Sequence, residues 1–242
     1  MRTLLGRAAL LLLGGLPLAA VCDEIPALKE KMARVLNGAT IREIRRLPEL
    51  GLYEVVWSGS NVLYTNAAGT LVLTGNLYRA GDRRNLTEAR KEELMHVDFG
   101  ALPLDLAFKQ VKGNGSRRLA VFADPDCPYC RQLEHELEPI SDVTIHVFQY
   151  PLAALHPDAE RKARLVWCAP DRGKAWTELM LGGTEPVGAR EACSAPIREV
   201  NELAERLGVH ATPGIIFESG KLVPGVIPRE RIEELLALIP KP

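Results

Sequence analysis

The chain has 242 residues, of which 47% are hydrophobic and 25% charged, and its formal net charge is −1 at pH 7. This balance produces no strong basic field, so the composition argues against nucleic acid as a partner. The length suits one or two folded domains. The order of the predicted elements favours two.

Residues 1–20 have the pattern of a secretory signal peptide. Arg2 and Arg7 precede an apolar stretch that ends in small residues. The stretch is short and interrupted by Gly and Pro, so it does not predict a membrane span, and a buried N-terminal helix is the structural alternative. We expect cleavage after Ala20 and export to an oxidising compartment. Lipidation at Cys22 is an alternative route, disfavoured because a bulky residue precedes this cysteine.

Residues 21–81 are predicted to form a small α+β domain. Its elements are one amphipathic helix and four short strands, separated by Gly- and Asn-containing turns: Ile25–Leu36, Thr40–Arg45, Leu52–Trp57, Val62–Tyr64 and Leu71–Leu73. A unit of this size has a marginal core on its own. Dimerisation through a strand edge and a monomeric accessory domain are therefore both open at this point.

Residues 82–98 are predicted to form a polar linker helix. The segment is highly charged, Asn85 can cap it, and Glu88 follows three positions later. A mostly polar helix between two folded regions is typical of a strut that crosses solvent. We expect it to hold the two domains apart.

Residues 99–242 are predicted to form a thioredoxin-like catalytic domain. The predicted strands are Leu119–Ala123, Val143–Gln149, Ile215–Phe217 and Leu222–Val223. The predicted helices are Cys127–Glu138, Ala159–Leu181, Ile197–Leu207 and Arg229–Leu238. A strand–helix–strand start, a helical insertion, a hairpin and a final helix follow the order of a thioredoxin-type fold.

The motif Cys127-Pro128-Tyr129-Cys130 lies between a predicted strand and a predicted helix. The helix N-terminus favours a thiolate at Cys127, and Pro128 suits the first turn because its missing N–H costs nothing there. Cys130 shares a helix face with Leu133. We therefore predict an exposed sulfur that attacks and a buried sulfur that resolves, as thiol–disulfide exchange requires.

Half of a zinc site is the alternative interpretation of two close cysteines. Zinc takes four ligands, commonly from a second pair at similar spacing. The remaining cysteines form no such pair: Cys22, Cys168 and Cys193. We therefore predict a redox dithiol with no metal site and no cofactor.

Two acidic residues, Asp124 and Asp126, stand just before the motif. If they lie close, they should raise the pKa of Cys127, whereas the helix N-terminus should lower it. We expect the helix dipole to dominate, because exposed carboxylates are screened. The pKa of Cys127 should then lie below that of a free thiol.

Thr212-Pro213 precedes the predicted strand Ile215–Phe217. An ordinary trans turn proline is one interpretation, since trans is the commoner isomer. The other is the cis-proline that faces the reactive sulfur in a thioredoxin fold and leaves the backbone of Thr212 free to pair with an extended client segment. The motif upstream favours the cis isomer.

Four stretches carry a family resemblance: Phe122-Ala123-Asp124-Pro125-Asp126-Cys127-Pro128-Tyr129-Cys130, Trp167-Cys168-Ala169, Gly208-Val209-His210-Ala211-Thr212-Pro213 and Leu222-Val223-Pro224-Gly225. On these residues the chain resembles the bacterial periplasmic disulfide isomerases of the DsbC/DsbG group. The signal peptide, small N-terminal domain and linker helix agree in order and length. Pro-Tyr between the cysteines departs from the Gly-Tyr of the better-studied branch, so the client range stays open.

The resemblance implies a role for each site residue. Cys127 corresponds to the attacking cysteine and Cys130 to the resolving one. Substrate-facing positions are Pro128, Tyr129, Thr212 and Pro213. A structural disulfide is implied between Cys168 and Cys193, and in the chain-entropy model its loop would contribute roughly 3 kcal/mol.

The resemblance also implies the biological setting. The N-terminal domain corresponds to a dimerisation domain with a cystatin-like sheet, which favours a homodimer. The expected function is that of a periplasmic disulfide isomerase or reductase for misoxidised exported proteins. A DsbD-type membrane thiol reductase would be its electron donor. The alternatives are an oxidase of the same fold and a client-binding chaperone.

Overall fold

The computed structural model describes residues 24–187 and 193–238. The predicted signal peptide and Cys22 lie outside these ranges. The chain divides into two compact units between Gly75 and Asn76. Within the described ranges, no helix combines the length and apolar character needed to span a membrane.

The N-terminal unit consists of one helix packed on a four-stranded antiparallel sheet. The strands follow one another in sheet order, and the elements are α1 (Glu24–Val35), β1 (Ile41–Leu47), β2 (Leu52–Trp57), β3 (Asn61–Asn66) and β4 (Val72–Leu73). Leu28 and Met32 lie one turn apart on α1 and are buried in the core of this unit with Val55 and Leu63. The predicted helix and four strands are confirmed, with small shifts in their bounds.

The second unit is built around a five-stranded sheet. Its helices are α2 (Leu86–Leu94), α3 (Pro128–Leu137), α4 (Ala159–Cys168), α5 (Arg172–Gly182), α6 (Ile197–Leu207) and α7 (Arg229–Leu236). Its strands are β5 (Tyr78–Arg79), β6 (Arg84–Asn85), β7 (Phe108–Lys112), β8 (Arg117–Ala123), β9 (Val143–Gln149), β10 (Gly214–Phe217) and β11 (Leu222–Pro224). The large sheet has the order β11-β10-β8-β9-β7, in which only β8 and β9 are parallel, while β5 and β6 form a separate ribbon.

Strand β8 places alternate residues into two cores on opposite faces of the sheet. Leu119 and Val121 belong to the core covered by α3, and Ala120 and Phe122 belong to the core covered by α6. A strand buried on both faces has a continuous apolar run, which is why the sequence predicts it. The crossover through α3 brings β9 parallel to β8, so the turn before α3 lies at the carboxyl end of a central strand.

One predicted helix is wrong: the segment Ala159–Leu181 forms two helices, α4 and α5, instead of one. Pro170 lacks a backbone N–H and disfavours helical backbone at the residue before it. Ala169 is accordingly extended, with φ −66° and ψ 149°. The side chain of Asp171 then starts the second helix by accepting the backbone N–H of Lys174 at 3.0 Å.

Helix α2 is shorter than the predicted helix of residues 82–98, because Arg84–Asn85 form strand β6 and the helix ends at Leu94. The Asn85 side chain accepts the backbone N–H of Glu88 at 3.1 Å, which confirms the predicted cap. Two of its polar residues, Thr87 and Arg90, are buried. The Thr87 hydroxyl accepts the backbone N–H of Leu77 at 2.8 Å, so one face of α2 contacts protein rather than water.

The segment that follows α2 runs beside β11. The backbone N–H of Leu222 donates to the Met95 carbonyl at 3.1 Å, and the N–H of Val97 donates to the Gly220 carbonyl at 2.8 Å. Strand β7, at the opposite side of the sheet, pairs with β9 and is not predicted from the sequence. Its two apolar residues, Phe108 and Val111, are three positions apart, so the strand lacks the period-2 alternation that would predict it.

A buried carboxyl group lies between α3 and α5. Glu134 is 5% exposed and accepts the indole N–H of Trp176 at 2.6 Å. Burial raises the pKa of Glu134, and the hydrogen bond from Trp176 and the charge of Lys112 oppose this rise. The pair therefore joins the helix that carries the cysteines to a neighbouring helix through a polar contact inside the core.

Candidate active site

Cys127 occupies the N-cap position of α3. Its backbone is extended, with φ −72° and ψ 122°, and Pro128 stands at the start of the helix. The backbone N–H of Cys127 donates to the Asp124 carbonyl at 3.2 Å, which closes the turn that follows β8. The predicted strand–motif–helix arrangement is confirmed, and the first-turn N–H groups of α3 lie next to the sulfur.

Both sulfurs are buried, so the predicted exposed attacking sulfur is wrong. Cys127 is 4% exposed and Cys130 is 1% exposed. In its thiol form the Sγ atom of Cys127 donates to the Thr212 carbonyl at 3.5 Å, and this segment from the other end of the chain limits its access to water. Cys130 lies deeper on α3, in the core that also contains Leu133.

The two thiols differ in acidity rather than in exposure. The pKa of Cys127 is lowered from its ordinary value of 9.0 to about 5, first by a hydrogen bond from the Cys130 thiol and further by Thr212 and the backbone N–H groups of Cys130 and Tyr129, against the effect of burial. Burial, followed by donation to Cys127, raises the pKa of Cys130 far above that of a free thiol. The expected low pKa of Cys127 is thus supported, with the partner thiol as its largest cause.

The peptide bond between Thr212 and Pro213 is cis, as expected from the sequence. Strand β10 begins one residue later and pairs Gly214 with Phe122 of β8. This antiparallel register brings Thr212 to the end of β8 where Cys127 lies. The structure therefore brings together the thiol pair and the proline segment, although 85 residues separate Cys127 from Thr212.

The remaining predicted site residues lie in two places. Pro128 and Tyr129 are exposed on the first turn of α3, and Tyr129 retains 61% of its accessible surface. Cys168, the last residue of α4, forms a disulfide with Cys193, with an S–S distance of 2.10 Å and a Cα–Cα distance of 5.7 Å. This bond is the pairing that the resemblance implies.

Asp124 is a site residue whose role the sequence does not reveal. Its side chain is fully buried, and its backbone N–H donates to the Cys130 Sγ atom at 3.4 Å. One carboxylate oxygen accepts the N–H of Asp126 at 2.7 Å, and the other accepts the N–H of Leu152 at 2.7 Å. The second oxygen also lies 3.0 Å from the Nδ1 atom of His156. Apart from its place after an apolar strand, no local signal points to this set of contacts.

A thioredoxin-like sheet that presents a dithiol at a helix N-terminus, opposite a cis-proline, defines a thiol:disulfide oxidoreductase. A family model of a thioredoxin-like domain matches residues 104–239. A second model, for the N-terminal domain of disulfide bond isomerase proteins, matches residues 19–88. The chain belongs to the DsbC family of thiol:disulfide interchange proteins.

Individual relatives agree with this family. A probable thiol:disulfide interchange protein DsbC of Bordetella parapertussis is 44% identical over 210 residues, which cover 87% of this chain and 73% of that protein. The thiol:disulfide interchange protein DsbC of Escherichia coli K12 is 26% identical over 212 residues, which cover 87% of this chain and 86% of that protein. The crystal structure of a disulfide interchange protein from Neisseria gonorrhoeae matches with a TM-score of 0.53 and 47% identity, over 56% of this chain and 96% of that one.

Proposed function

We propose that Cys127 and Cys130 carry out thiol–disulfide exchange with misoxidised exported proteins. The observation that supports this role is the opposite effect of the site on its two thiols. The pKa of Cys127 is lowered to about 5, whereas burial raises the pKa of Cys130. At neutral pH Cys127 is then an anion that can attack, and Cys130 holds a proton until it is needed.

Isomerisation begins when the Cys127 thiolate attacks one sulfur of a wrong client disulfide. A bond forms between Cys127 and that sulfur, the client disulfide breaks, and the other client sulfur leaves as a thiolate. A second client thiolate then attacks the client sulfur of the mixed disulfide. The new client disulfide forms, Cys127 leaves as a thiolate, and the protein and client exchange no net electrons.

A reductive branch releases a stalled client. Cys130 loses its proton and attacks the sulfur of Cys127, so a Cys127–Cys130 disulfide forms and the client leaves with both of its sulfurs reduced. The low pKa of Cys127 favours its departure in the first route, because a thiol of lower pKa is a better leaving group. An external dithiol must then reduce the pair again, and we assign this step to a DsbD-type membrane reductase.

Client segments would bind across the cysteine motif and the proline segment. Pro213 has no N–H to donate, and the neighbouring Thr212 offers backbone groups to an extended chain. The exposed ring of Tyr129 supplies an apolar contact beside the sulfur. Since Cys127 is 4% exposed, we expect the client sulfur to approach between Tyr129 and Thr212.

The N-terminal unit would supply a homodimer interface, in the periplasm, after removal of residues 1–20. Supporting features are on and beside β4, a two-residue strand that pairs with β3 and whose residues, Val72 and Leu73, are both apolar and exposed. Leu71, just before it, and Leu73 retain 65% and 54% of their accessible surface. Exposed apolar side chains on an outer strand favour pairing across a two-fold axis. Light scattering of the mature chain tests this assembly.

Refolding of a scrambled multi-disulfide substrate tests the exchange function. We expect the reduced protein to be active, Cys127→Ser to be inactive, and Cys130→Ser to accumulate mixed disulfides that isomerise slowly. A Cys168→Ser/Cys193→Ser double variant, assayed below its melting temperature, controls for loss of thiols elsewhere and should remain active. Full activity of Cys127→Ser would contradict the proposal.

The same preparation separates the two rival functions. A disulfide oxidase would act from the oxidised protein and would be mainly oxidised at Cys127 and Cys130 when trapped from cells. A chaperone without chemistry would suppress aggregation equally well after Cys127→Ser. We expect the cysteine pair to be mainly reduced in the cell, because isomerisation needs a free thiolate.

A further inference from the structure

Two ion pairs flank the turn that precedes Cys127. The buried Asp124 contacts His156 with an Oδ2–Nδ1 distance of 3.0 Å, and Asp126 forms an ion pair with Lys162. His156 and Lys162 are 23% and 20% exposed at their side chains, so both pairs are partly shielded from water. Each acidic residue of the turn therefore has its own basic partner, and His156 is a cation when its imidazole is protonated.

The same turn also contacts both cysteines. The backbone of Asp124 donates to the Cys130 Sγ atom and accepts from the backbone N–H of Cys127. Its carboxylate meanwhile binds the backbone of Asp126 and of Leu152. Asp124 thus links the cysteine turn to the segment that carries His156.

Two uncompensated carboxylates in this turn would oppose a thiolate at Cys127. A like charge close by disfavours ionisation, and the sequence alone predicts this opposing effect. The structure supplies the compensating groups from later in the chain. His156 lies 32 positions after Asp124, and Lys162 lies 36 positions after Asp126. Pairing each carboxylate with a cation cancels most of its field at the sulfur.

The charges facing the two cations agree with this account. The hydrogen bond to Asp124 is the largest cause that raises the pKa of His156, and the charges of Asp124, Cys127 and Asp126 add to it against burial. The hydrogen bond to Asp126 is the largest cause that raises the pKa of Lys162. Coupling between His156 and Cys127 is reciprocal, so the imidazolium that the thiolate favours also favours the thiolate.

Other charged groups surround Lys162 on α4 and beyond. Asp158 lies 3.6 Å from its Nζ atom, and the charge of Glu185 adds to the rise in its pKa. Both of these carboxylates also pair with Arg161. The cation of Lys162 therefore persists across the pH range in which Cys127 titrates, whereas His156 is the group that can change its charge near neutral pH.

We propose that His156 and Lys162 are positioning residues of the exchange reaction, which neutralise Asp124 and Asp126 and so keep the neighbouring sulfur of Cys127 an anion. This proposal rests on the proposed function, since it explains what sustains the attacking thiolate. It predicts that charge, and not merely shape, is required at these two positions.

The test measures the midpoint of the pH-dependent alkylation of Cys127 by iodoacetamide in the full mature chain. His156→Asn keeps an amide N–H that can bind Asp124 but removes the charge, and Lys162→Met removes the charge at Asp126. Each should raise the midpoint by about one pH unit, as expected for loss of a nearby opposite charge. Lys162→Arg should restore the wild-type midpoint. The exposed residues His135 and Lys174 provide matched controls, His135→Asn and Lys174→Met, which should leave it unchanged.

The outcomes separate this proposal from the proposed function. A low wild-type midpoint that neither His156→Asn nor Lys162→Met changes would overturn the role of the ion pairs and leave the exchange function standing. A wild-type midpoint near that of a free thiol, together with an active Cys127→Ser variant, would overturn the exchange function itself. If His156→Asn does not fold, the comparison of Lys162→Met with Lys162→Arg tests the role of the ion pairs. It is suited to this because the Lys162 side chain binds a single carboxylate of the cysteine turn, that of Asp126.

Discussion

Removal of the Cys130 thiol tests the origin of the low pKa of Cys127. In Cys130→Ala the largest cause of the lowered pKa, the hydrogen bond between the two side chains, is lost, while the backbone N–H groups of α3 stay in place. In Cys130→Ser a hydroxyl of similar size can still donate to the thiolate. The two variants thus separate the hydrogen bond from the simple loss of a second sulfur.

The size of the effect follows from the site. A pKa of about 5, against the ordinary 9.0, corresponds to roughly 5 kcal/mol of thiolate stabilisation at about 1.36 kcal/mol per pKa unit. A hydrogen bond to a charged group contributes about 1.5–3 kcal/mol. Its loss should therefore raise the pKa of Cys127 in Cys130→Ala to about 6–7. The pKa in Cys130→Ser should stay close to that of the wild type.

The assay is the rate of alkylation of Cys127 between about pH 3 and pH 10, followed by mass spectrometry, and its readout is the midpoint of the profile. A single rate at neutral pH does not discriminate. A thiolate of lower pKa is a weaker nucleophile, with a Brønsted coefficient of about 0.4–0.5, so the gain in anion fraction is largely offset. An unchanged midpoint in Cys130→Ala, or an equal rise in Cys130→Ser, would refute the reasoning.

Three further predictions concern stability, measured by denaturant unfolding. Cys168→Ser/Cys193→Ser should lower the free energy of unfolding by roughly 3 kcal/mol, because the closed loop no longer restricts the unfolded chain. The pKa of Glu134 is raised above its ordinary 4.5, so its contribution is present at low pH and is lost as the pH rises; Glu134→Gln should remove this loss. The pKa of His156 is raised above 6.5, so its contribution is complete below pH 6.5 and is lost as the pH rises through the higher folded-state value; His156→Asn should lose this advantage.

Each stability prediction has its own contradicting result. As a control, the double serine variant and the fully reduced wild type should have the same free energy of unfolding. A double variant as stable as the oxidised wild type would contradict the predicted contribution of the disulfide. For Glu134→Gln and His156→Asn the informative quantity is the difference from the wild type as a function of pH. A difference that stays constant across the pH range would show that neither group titrates with folding.

Local sequence patterns predict most of the fold. Leu119–Ala123 is apolar throughout because both of its faces are covered, and the cysteine motif marks the start of the next helix. The apolar spacing of Ala159–Leu181 runs through Pro170 and predicts one helix, whereas the missing backbone N–H of Pro170 divides the segment into two. Strand β7 owes its formation to pairing with β9, which a five-residue pattern does not encode.

The sequence predicts the site only where the interacting groups are neighbours along the chain. The dithiol and the helix N-terminus are neighbours along the chain, so their interaction follows from spacing. The burial of Cys127 does not, because the group that covers it, Thr212, lies just before β10 and 85 residues along the chain. The partners of Asp124 and Asp126 are likewise brought together by tertiary structure, and no short-range signal distinguishes them from solvated charges.

The segment beside β11 has a consequence for the edges of the large sheet. Edge strands with unpaired backbone N–H and C=O groups can pair with extended polypeptides and so promote aggregation. The edge strand β11 is already paired with residues 95–97, and Pro224 on this strand has no backbone N–H to donate. The opposite border, β7, is short and carries the exposed Lys109, a charge that discourages such recruitment. Under the proposed function, these edges would disfavour pairing with unfolded clients and leave the cysteine turn as the place where clients bind.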